Sequence, residues 1–408
     1  MRPISCFVFL VCLALAVVGF AAGCGGRSTA SSGVHHSDPL GACCFMDGAC
    51  TDTTAELCEL YHDLGAGWAG AGTSCAANGC SDDDDASPDD DASPDDDISP
   101  ADDDDDDNDD SALSWSGMKS GTSGNMCGVW GSSASDVFAV GYGVFYYDGP
   151  VEDALLHYDG SSWSAMTPPA GLSGRLFGVW GTSAADVFAV GDQIFHYDGA
   201  SWSAMDTSLD CAMNAVWGIS SQDVFAVGDG FIEHYNGSSW TQIRGAMRAW
   251  MSSVWGSAAS DVFAVGDEDK PGAASGLILR YDGSSWSAMT VPVEATWNLS
   301  GVWGSSASDV FAVGGVPSPA TAAILHYDGS SWSAMTSATC DLYSVWGSSA
   351  SDVFAVGFSG LIVHYDGSSW SAMASGTTAP LNGVWGSSAT DVFAVGVGGT
   401  ILHYGSPE

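Results

Sequence analysis

Positive charge is nearly missing from this chain. Only 8 of its 408 residues are Lys or Arg, against 50 Asp or Glu, and the formal net charge is −42. A groove that holds a phosphate backbone needs clustered cations, so nucleic-acid binding is excluded. Helical periodicity is missing too: from residue 111 onward no segment repeats its apolar residues every 3.6 positions. The G-x-S-x-G, H-E-x-x-H and phosphate-loop patterns do not occur. Beyond residue 111 there are four arginines, Arg175, Arg244, Arg248 and Arg280. A site that grips a substrate carboxylate with an arginine cluster has little to draw on.

A single phrase, close to GVWGSSASDVFAVG…ILHYDGSSWSAM, is present seven times instead. Its VWG tryptophans are Trp130, Trp180, Trp217, Trp255, Trp303, Trp346 and Trp385, spaced by 50, 37, 38, 48, 43 and 39 residues. That is the length of a four-stranded propeller blade. In the sixth unit, Tyr343 to Trp346 reads as a first strand and Gly347 to Ser351 as a turn. Asp352 to Gly357, apolar on both faces, is a strand covered on both sides. Leu361 to Tyr365 is a third strand, Asp366 to Ser369 a hairpin turn, and Trp370 to Met373 a fourth strand. The expected fold is all-β: seven four-stranded antiparallel blades over residues 111–408. Residues 113–118 resemble a fourth strand without its first three, and the last unit stops at His403-Tyr404 without a fourth. The two remnants are expected to pair, closing the ring and covering its open edge.

Strand order and the YDG-to-Trp spacing resemble the kelch-type propeller repeat, and D-G-S-S-W is similar to the Asp-box of sialidase-like propellers. Most units depart from the kelch pattern in carrying one Gly after the second strand, Gly314-Gly315 being the exception. Both resemblances imply a fold and no particular chemistry.

The region before the propeller reads as an address. Residues 1–23 hold Arg2, an apolar run from Phe7 to Phe20, then small residues, as in an export signal. Ala21-Ala22-Gly23-Cys24 resembles a bacterial lipoprotein box. The resemblance implies lipidation of Cys24, a tether over 24–42, and an outer-membrane or cell-surface location; the alternative is an ordinary cleaved signal with Cys24 incidental. Six cysteines, Cys43, Cys44, Cys50, Cys58, Cys75 and Cys80, fall within 43–80. In an exported chain they read as three disulfides of unassigned pairing rather than as a zinc site. Residues 81–110 contain eighteen aspartates interrupted by Ser-Pro pairs. Such a segment is expected to stay disordered and extended as a stalk, with loose divalent-cation association rather than a defined calcium loop.

From residue 111 onward the balance is 26 acidic to 6 basic residues, a net −20. Twelve of these acids recur with the repeat, which points to turn and strand-end hydrogen bonding. The recurring histidines (His157, His196, His234, His326, His364 and His403, with Arg280 in unit four) occupy equivalent places on separate blades. They read as inter-blade packing rather than as a metal array, and no metal or cofactor is expected. Cys127, Cys211 and Cys340 read as small buried fillers.

Insertions among the units fall between strands two and three (Tyr142 to Ala154, Asp267 to Gly276, Val316 to Ala323) and between units (Thr167 to Leu176, Ile243 to Met251, Val291 to Leu299). In an up-and-down meander both classes emerge on one side of the disc. One side is uniform and the other individual, and binding residues sit on loops. The individual side carries Trp250 and Trp297, outside the repeat pattern, with Arg244, Arg248, Asp267, Glu268, Asp269, Lys270 and Glu294. Aromatic and Arg residues anchor interfaces. The expectation is a non-catalytic recognition or scaffold protein at the cell surface, binding a protein or glycan. A carbohydrate-active enzyme with its site over the central channel, and a structural protein without a ligand, are the alternatives.

Overall fold

The computed structural model describes residues 41–45, 50–53 and 66–71. Between 113 and 406 it describes all but 144–154, 169–171, 173, 208–210, 245–247, 269–274, 293–297, 318–319 and 336–339. The export signal, Cys24, Cys58, Cys75, Cys80 and the aspartate-rich segment lie outside these residues. Within the cysteine-rich region Gly41–Phe45 pairs with both Cys50–Thr53 and Ala66–Ala71, in a register that sets Cys44 opposite Cys50.

Seven four-stranded antiparallel sheets make up the rest. In blade one the strands are Asn125–Ser133, Asp136–Tyr142, Leu155–Tyr158 and Trp163–Ala165, and blades two to six follow the same order. In the seventh sheet Ile401–Gly405 pairs with Ser114–Met118, with Tyr404 opposite Trp115. Among the described residues the remaining regular structure is two single 3-10 turns, Phe358–Gly360 and Val397–Gly399.

The core lies between blades, since a sheet can bury its faces only against its neighbours. The V-F-A-V strand is its centre: Val353, Phe354, Ala355 and Val356 are at most 1 % exposed, as are their equivalents in the other blades. Each such Phe reaches into the next blade. Phe138 packs on Tyr197 at 5.8 Å and edge-on to Trp202 at 6.4 Å. Phe354 meets Tyr404 and Trp115 in the same way, and Phe393 meets Tyr158 and Trp163. Burying one such ring stabilises by about 1.5–3 kcal/mol, and the repeat does so seven times.

The VWG motif has a steric origin. Trp130 stacks on Phe138 of its own blade at 6.3 Å, while its far edge lies over Gly181 of the next. A Cβ there would sit 2.8 Å from Trp130 Cη2 and 2.5 Å from the Asp186 carbonyl. Trp385 covers Gly131 likewise, so the contact runs round the whole ring.

The repeated histidine acts within its blade rather than between blades, unlike the expectation. His364 Nε2 donates to Asp352 Oδ1 at 2.7 Å, its ring lies 4.5 Å from Phe354, and Ser348 Oγ donates to the other carboxylate oxygen. One carboxylate thus ties three strands together. In blade four Arg280 takes the place of His. It donates to Asp261 at 2.6 Å and reaches Tyr327 of blade five at 3.1 Å.

The DGSS turn works as its composition suggested. Asp159 Oδ1 accepts from the Ser161 and Ser162 amides at 2.9 and 2.8 Å and from Ser161 Oγ at 2.7 Å. Gly160 adopts φ 91°, a left-handed conformation suited to glycine. The Ser161 hydroxyl and these amides hold the Asp159 carboxyl down at about 2.

Candidate functional site: the central channel and its variable rim

The first strands of all seven blades surround a channel of about 220 Å³. Packing seven backbones round one axis requires small residues. Gly128, Gly178, Ala215, Ser253, Gly301, Ser344 and Gly383 occupy the same place in each blade. A Cβ on Gly128 would come within 2.8 Å of the Phe177 carbonyl. The Ser253 and Ser344 hydroxyls accept from the next blade's Val302 and Val384 amides at 3.3 Å.

One residue earlier, each first strand bulges against its partner, between Met126 and Gly128 in blade one and at the equivalent point elsewhere. A bulge re-aims a side chain. The seven bulge residues, all of which line the channel, are Cys127, Phe177, Asn214, Ser252, Ser300, Tyr343 and Asn382. Here the repeat gives way to individuality. Phe177 and Tyr343 come from blades two and six, and Asn214 and Asn382 from blades three and seven. Each pair is as far apart as a seven-membered ring allows. The amide groups of both asparagines donate to neighbouring carbonyls, Asn214 to Met251 at 2.9 Å and Asn382 to Met126 at 2.8 Å.

Outside the channel lining, near strand ends on the side of the variable connections, lie three occluded acceptor atoms. Among the described residues, Asp229 Oδ2, Asn298 Oδ1 and Asp341 Oδ1 are buried without a hydrogen-bond partner. Asn298 and Asp341 each precede a channel-lining residue, Ser300 and Tyr343, by two positions. Asp229 follows Gly228 and forms a β-bridge with Trp250 of the next blade. Burial pushes the Asp229 carboxyl up to about 6, against the opposing pull of the Asn214 amide and the Arg175 charge. Burial also raises Asp341. Arg175 lies 5.3 Å from the Phe177 ring centre and is held by both oxygens of Asp192, at 3.2 and 3.0 Å.

The residues singled out in the sequence divide into three groups. Trp250, Asp267 and Glu268 are half-buried and lie on strands, with Trp250 opposite Asp267 and Ala249 opposite Glu268. The expected loop there is instead a continued hairpin, since Asp261–Glu268 pairs with Ser275–Tyr281 over its length. Likewise Asp309–Pro317 continues against Ala320–Tyr327. Arg244 is engaged structurally, its Nη1 donating to the Trp286 carbonyl of the next blade at 2.6 Å, whereas Arg248 is exposed. Trp297, Asp269, Lys270 and Glu294 lie outside the described residues. The cysteine reading needs correction: Cys211 is disulfide-bonded, and Cys340 is partly exposed beside Phe358, Leu361 and Met373 in a surface depression. Cys127 is buried. Among the described residues no group of three or more His, Cys, Asp or Glu side chains could hold a metal ion.

The bulge ring was missed from sequence, although its signal was present. The third residue before each VWG tryptophan reads Cys, Phe, Asn, Ser, Ser, Tyr, Asn, between positions that barely change.

No protein-family model matches the chain, and no curated protein matches it. Several solved structures share its fold. A YCF48 structure bound to a D1 peptide superposes with a TM-score of 0.56 at 15% identity, covering 72% of this chain and 97% of that one. YCF48 from Cyanidioschyzon merolae gives 0.54 at 13%, covering 72% and 98%. The WD40 β-propeller domain of Doa1 gives 0.55 at 11%, covering 73% and 98%. At these identities the likeness is one of fold: this chain is built as a seven-bladed β-propeller.

Proposed function

We propose that this protein is a non-catalytic recognition or scaffold protein, and that the variable side of its propeller, with the channel mouth at its centre, binds a protein segment. One observation carries the reading. The residues that break the repeat gather on one side of a ring whose other positions are held constant by packing. Residues kept for stability repeat with the blades; residues kept for a ligand need not. The YCF48 propeller bound to a D1 peptide is a propeller with a peptide partner, and a peptide is the ligand class proposed here.

The N-terminal region completes the proposal. Cys24 carries lipid, the cysteine-rich module is disulfide-stabilised, and residues 81–110 space the propeller from the membrane at the cell surface. Incorporation of labelled palmitate that is lost in Cys24→Ser tests the anchor; equal labelling of both proteins overturns it.

For the propeller, the full chain is screened against peptide and glycan arrays and a glycoside hydrolase panel. Saturable peptide binding without turnover is the expected outcome, and glycan turnover would replace this reading with a carbohydrate-active enzyme. Trp250→Ala is expected to weaken peptide capture several-fold while shifting Tm by only a few degrees.

A further inference from the structure

We infer that the perimeter of the propeller is a modification site. Six methionines there each take one oxygen atom from a peroxide, and the fold holds the resulting sulfoxides. The inference is independent of any ligand at the channel.

The fourth strand of each blade is outermost in its sheet. In six blades its fourth residue is a methionine: Met118, Met166, Met205, Met289, Met335 and Met373. All six are half-buried, so solvent reaches them from outside the disc. Met126, Met213 and Met251, on first strands, are at most 2 % exposed. The chain therefore carries two classes of thioether, one open to a dissolved oxidant and one closed to it.

The perimeter sulfurs face the indoles of the blades that follow. Trp163 Nε1 donates to Met118 Sδ, Trp240 Nε1 to Met205 Sδ and Trp332 Nε1 to Met289 Sδ, each at 3.4 Å. Trp370 Nε1 donates to Met335 Sδ at 3.5 Å. Met166 and Met373 pack against the clusters that hold Trp202 and Trp115. Yet the Nε1 atoms of both indoles are buried without a hydrogen-bond partner. In blade three Ile243 stands in place of the methionine, and Trp286 Nε1 of blade four is without a partner too.

A thioether is a weak acceptor, and a buried N–H left without one is costly. A sulfoxide oxygen is a strong acceptor. In the step, the sulfur attacks one peroxide oxygen, and the S–O bond forms as the O–O bond breaks. Sulfur loses two electrons, the transferred oxygen gives its proton to the departing hydroxide, and water leaves. Methionine sulfoxide ordinarily disrupts packing, because an apolar side chain becomes polar. At these junctions the new oxygen has an indole N–H on one side and solvent on the other.

The test treats the full chain with hydrogen peroxide and follows oxygen gain at each methionine by peptide mass spectrometry. The six perimeter residues are expected to oxidise at least about tenfold faster than Met126, Met213 and Met251. The oxidised protein should keep one cooperative transition, with Tm moved by only a few degrees. Indole N–H resonances of nitrogen-labelled tryptophan give a readout that exposure alone would not move. Those of Trp202 and Trp115 should shift downfield on oxidation, and Met166→Leu and Met373→Leu should each remove one shift. Ile243→Met should add a seventh oxidisable site and give Trp286 the same response.

Perimeter rates no faster than those of the buried methionines overturn the inference, and so does unfolding on oxidation. Indole signals that stay in place while the sulfoxides form overturn it as well, because the new oxygens would then face only solvent. Should a leucine variant fail to fold, the shifts in the unsubstituted protein decide alone.

Discussion

At the scale of single residues, the repeat is a set of contacts that tolerate little change, and two kinds of position show it. The glycine of VWG is fixed by the neighbouring blade's tryptophan, so Gly181→Ala must displace either Trp130 or the Asp186 backbone. Overpacking of this kind costs about 1–3 kcal/mol. The expected result is a lower denaturation midpoint, and an unchanged midpoint would show that Trp130 moves aside freely. The aspartates respond to pH in opposite directions. Hydrogen bonds from the serine hydroxyls and amides hold the turn carboxyls of Asp159, Asp282, Asp328 and Asp366 near 2, below the ordinary 3.8. Their stabilising contribution is present above 3.8 and is lost as pH falls toward 2. Burial holds Asp229 near 6, so its carboxyl favours folding below 3.8, and that advantage is lost as pH rises through 6. Asp229→Asn is therefore expected to raise Tm at about pH 7.5 and to leave it unchanged at about pH 4. A shift of two pH units corresponds to about 3 kcal/mol. The partial exposure of this side chain reduces that to about 1 kcal/mol. A drop in Tm at neutral pH would show that the carboxylate is satisfied in the folded state.

At the scale of elements, the strand Ser114–Met118 is the most consequential short segment. Trp115 fills the slot in the seventh sheet that Trp163 and Trp202 fill in their own blades, edge-on to Phe354 at 6.2 Å and 5.3 Å from Tyr404. Trp115→Ala leaves a cavity of aromatic size, and such truncations cost about 3–5 kcal/mol. The expected consequence is a large fall in the urea midpoint together with concentration-dependent association, as Ile401–Gly405 becomes an exposed edge. A fully monomeric variant of near-native stability would show that this strand contributes little. Blade strands were legible in the sequence because V-F-A-V, H-Y-D-G and W-S-A-M each carry their own turn and packing signals. The connections were less legible. Asp267 and Glu268 looked like loop residues for want of an apolar pattern, yet they continue a hairpin, paired with Gly276 and Ser275. Buried acceptors such as Asp229 and Asp341 were not legible either, because their burial depends on the adjoining blade. The channel residues were a different case, since the column before VWG shows its variation to anyone who aligns the units.

At the scale of the whole molecule, each apolar cluster belongs to two blades, and that determines how the protein must unfold. Phe138 and Val140 of blade one are buried with Val187, Phe195 and Trp202 of blade two. Met126, Val137 and Trp163 of blade one are buried with Phe393, Val395 and Ile401 of blade seven. A linear array of repeats has two ends from which it can fray. A ring has none, so opening any junction exposes half of two blades at once. The channel is collective in the same sense, because its ring of seven bulge residues is assembled only when the circle is complete. The propeller is therefore expected to unfold in one transition despite its size, with tryptophan fluorescence, far-UV circular dichroism and calorimetry giving the same midpoint. Ligand binding at the channel should move that midpoint upward as a single unit. In Trp115→Ala the whole transition should shift, because weakening one junction weakens the ring. Two separable transitions in that variant, one accounting for about a seventh of the signal, would mean that blades melt individually and that the channel can open without global unfolding.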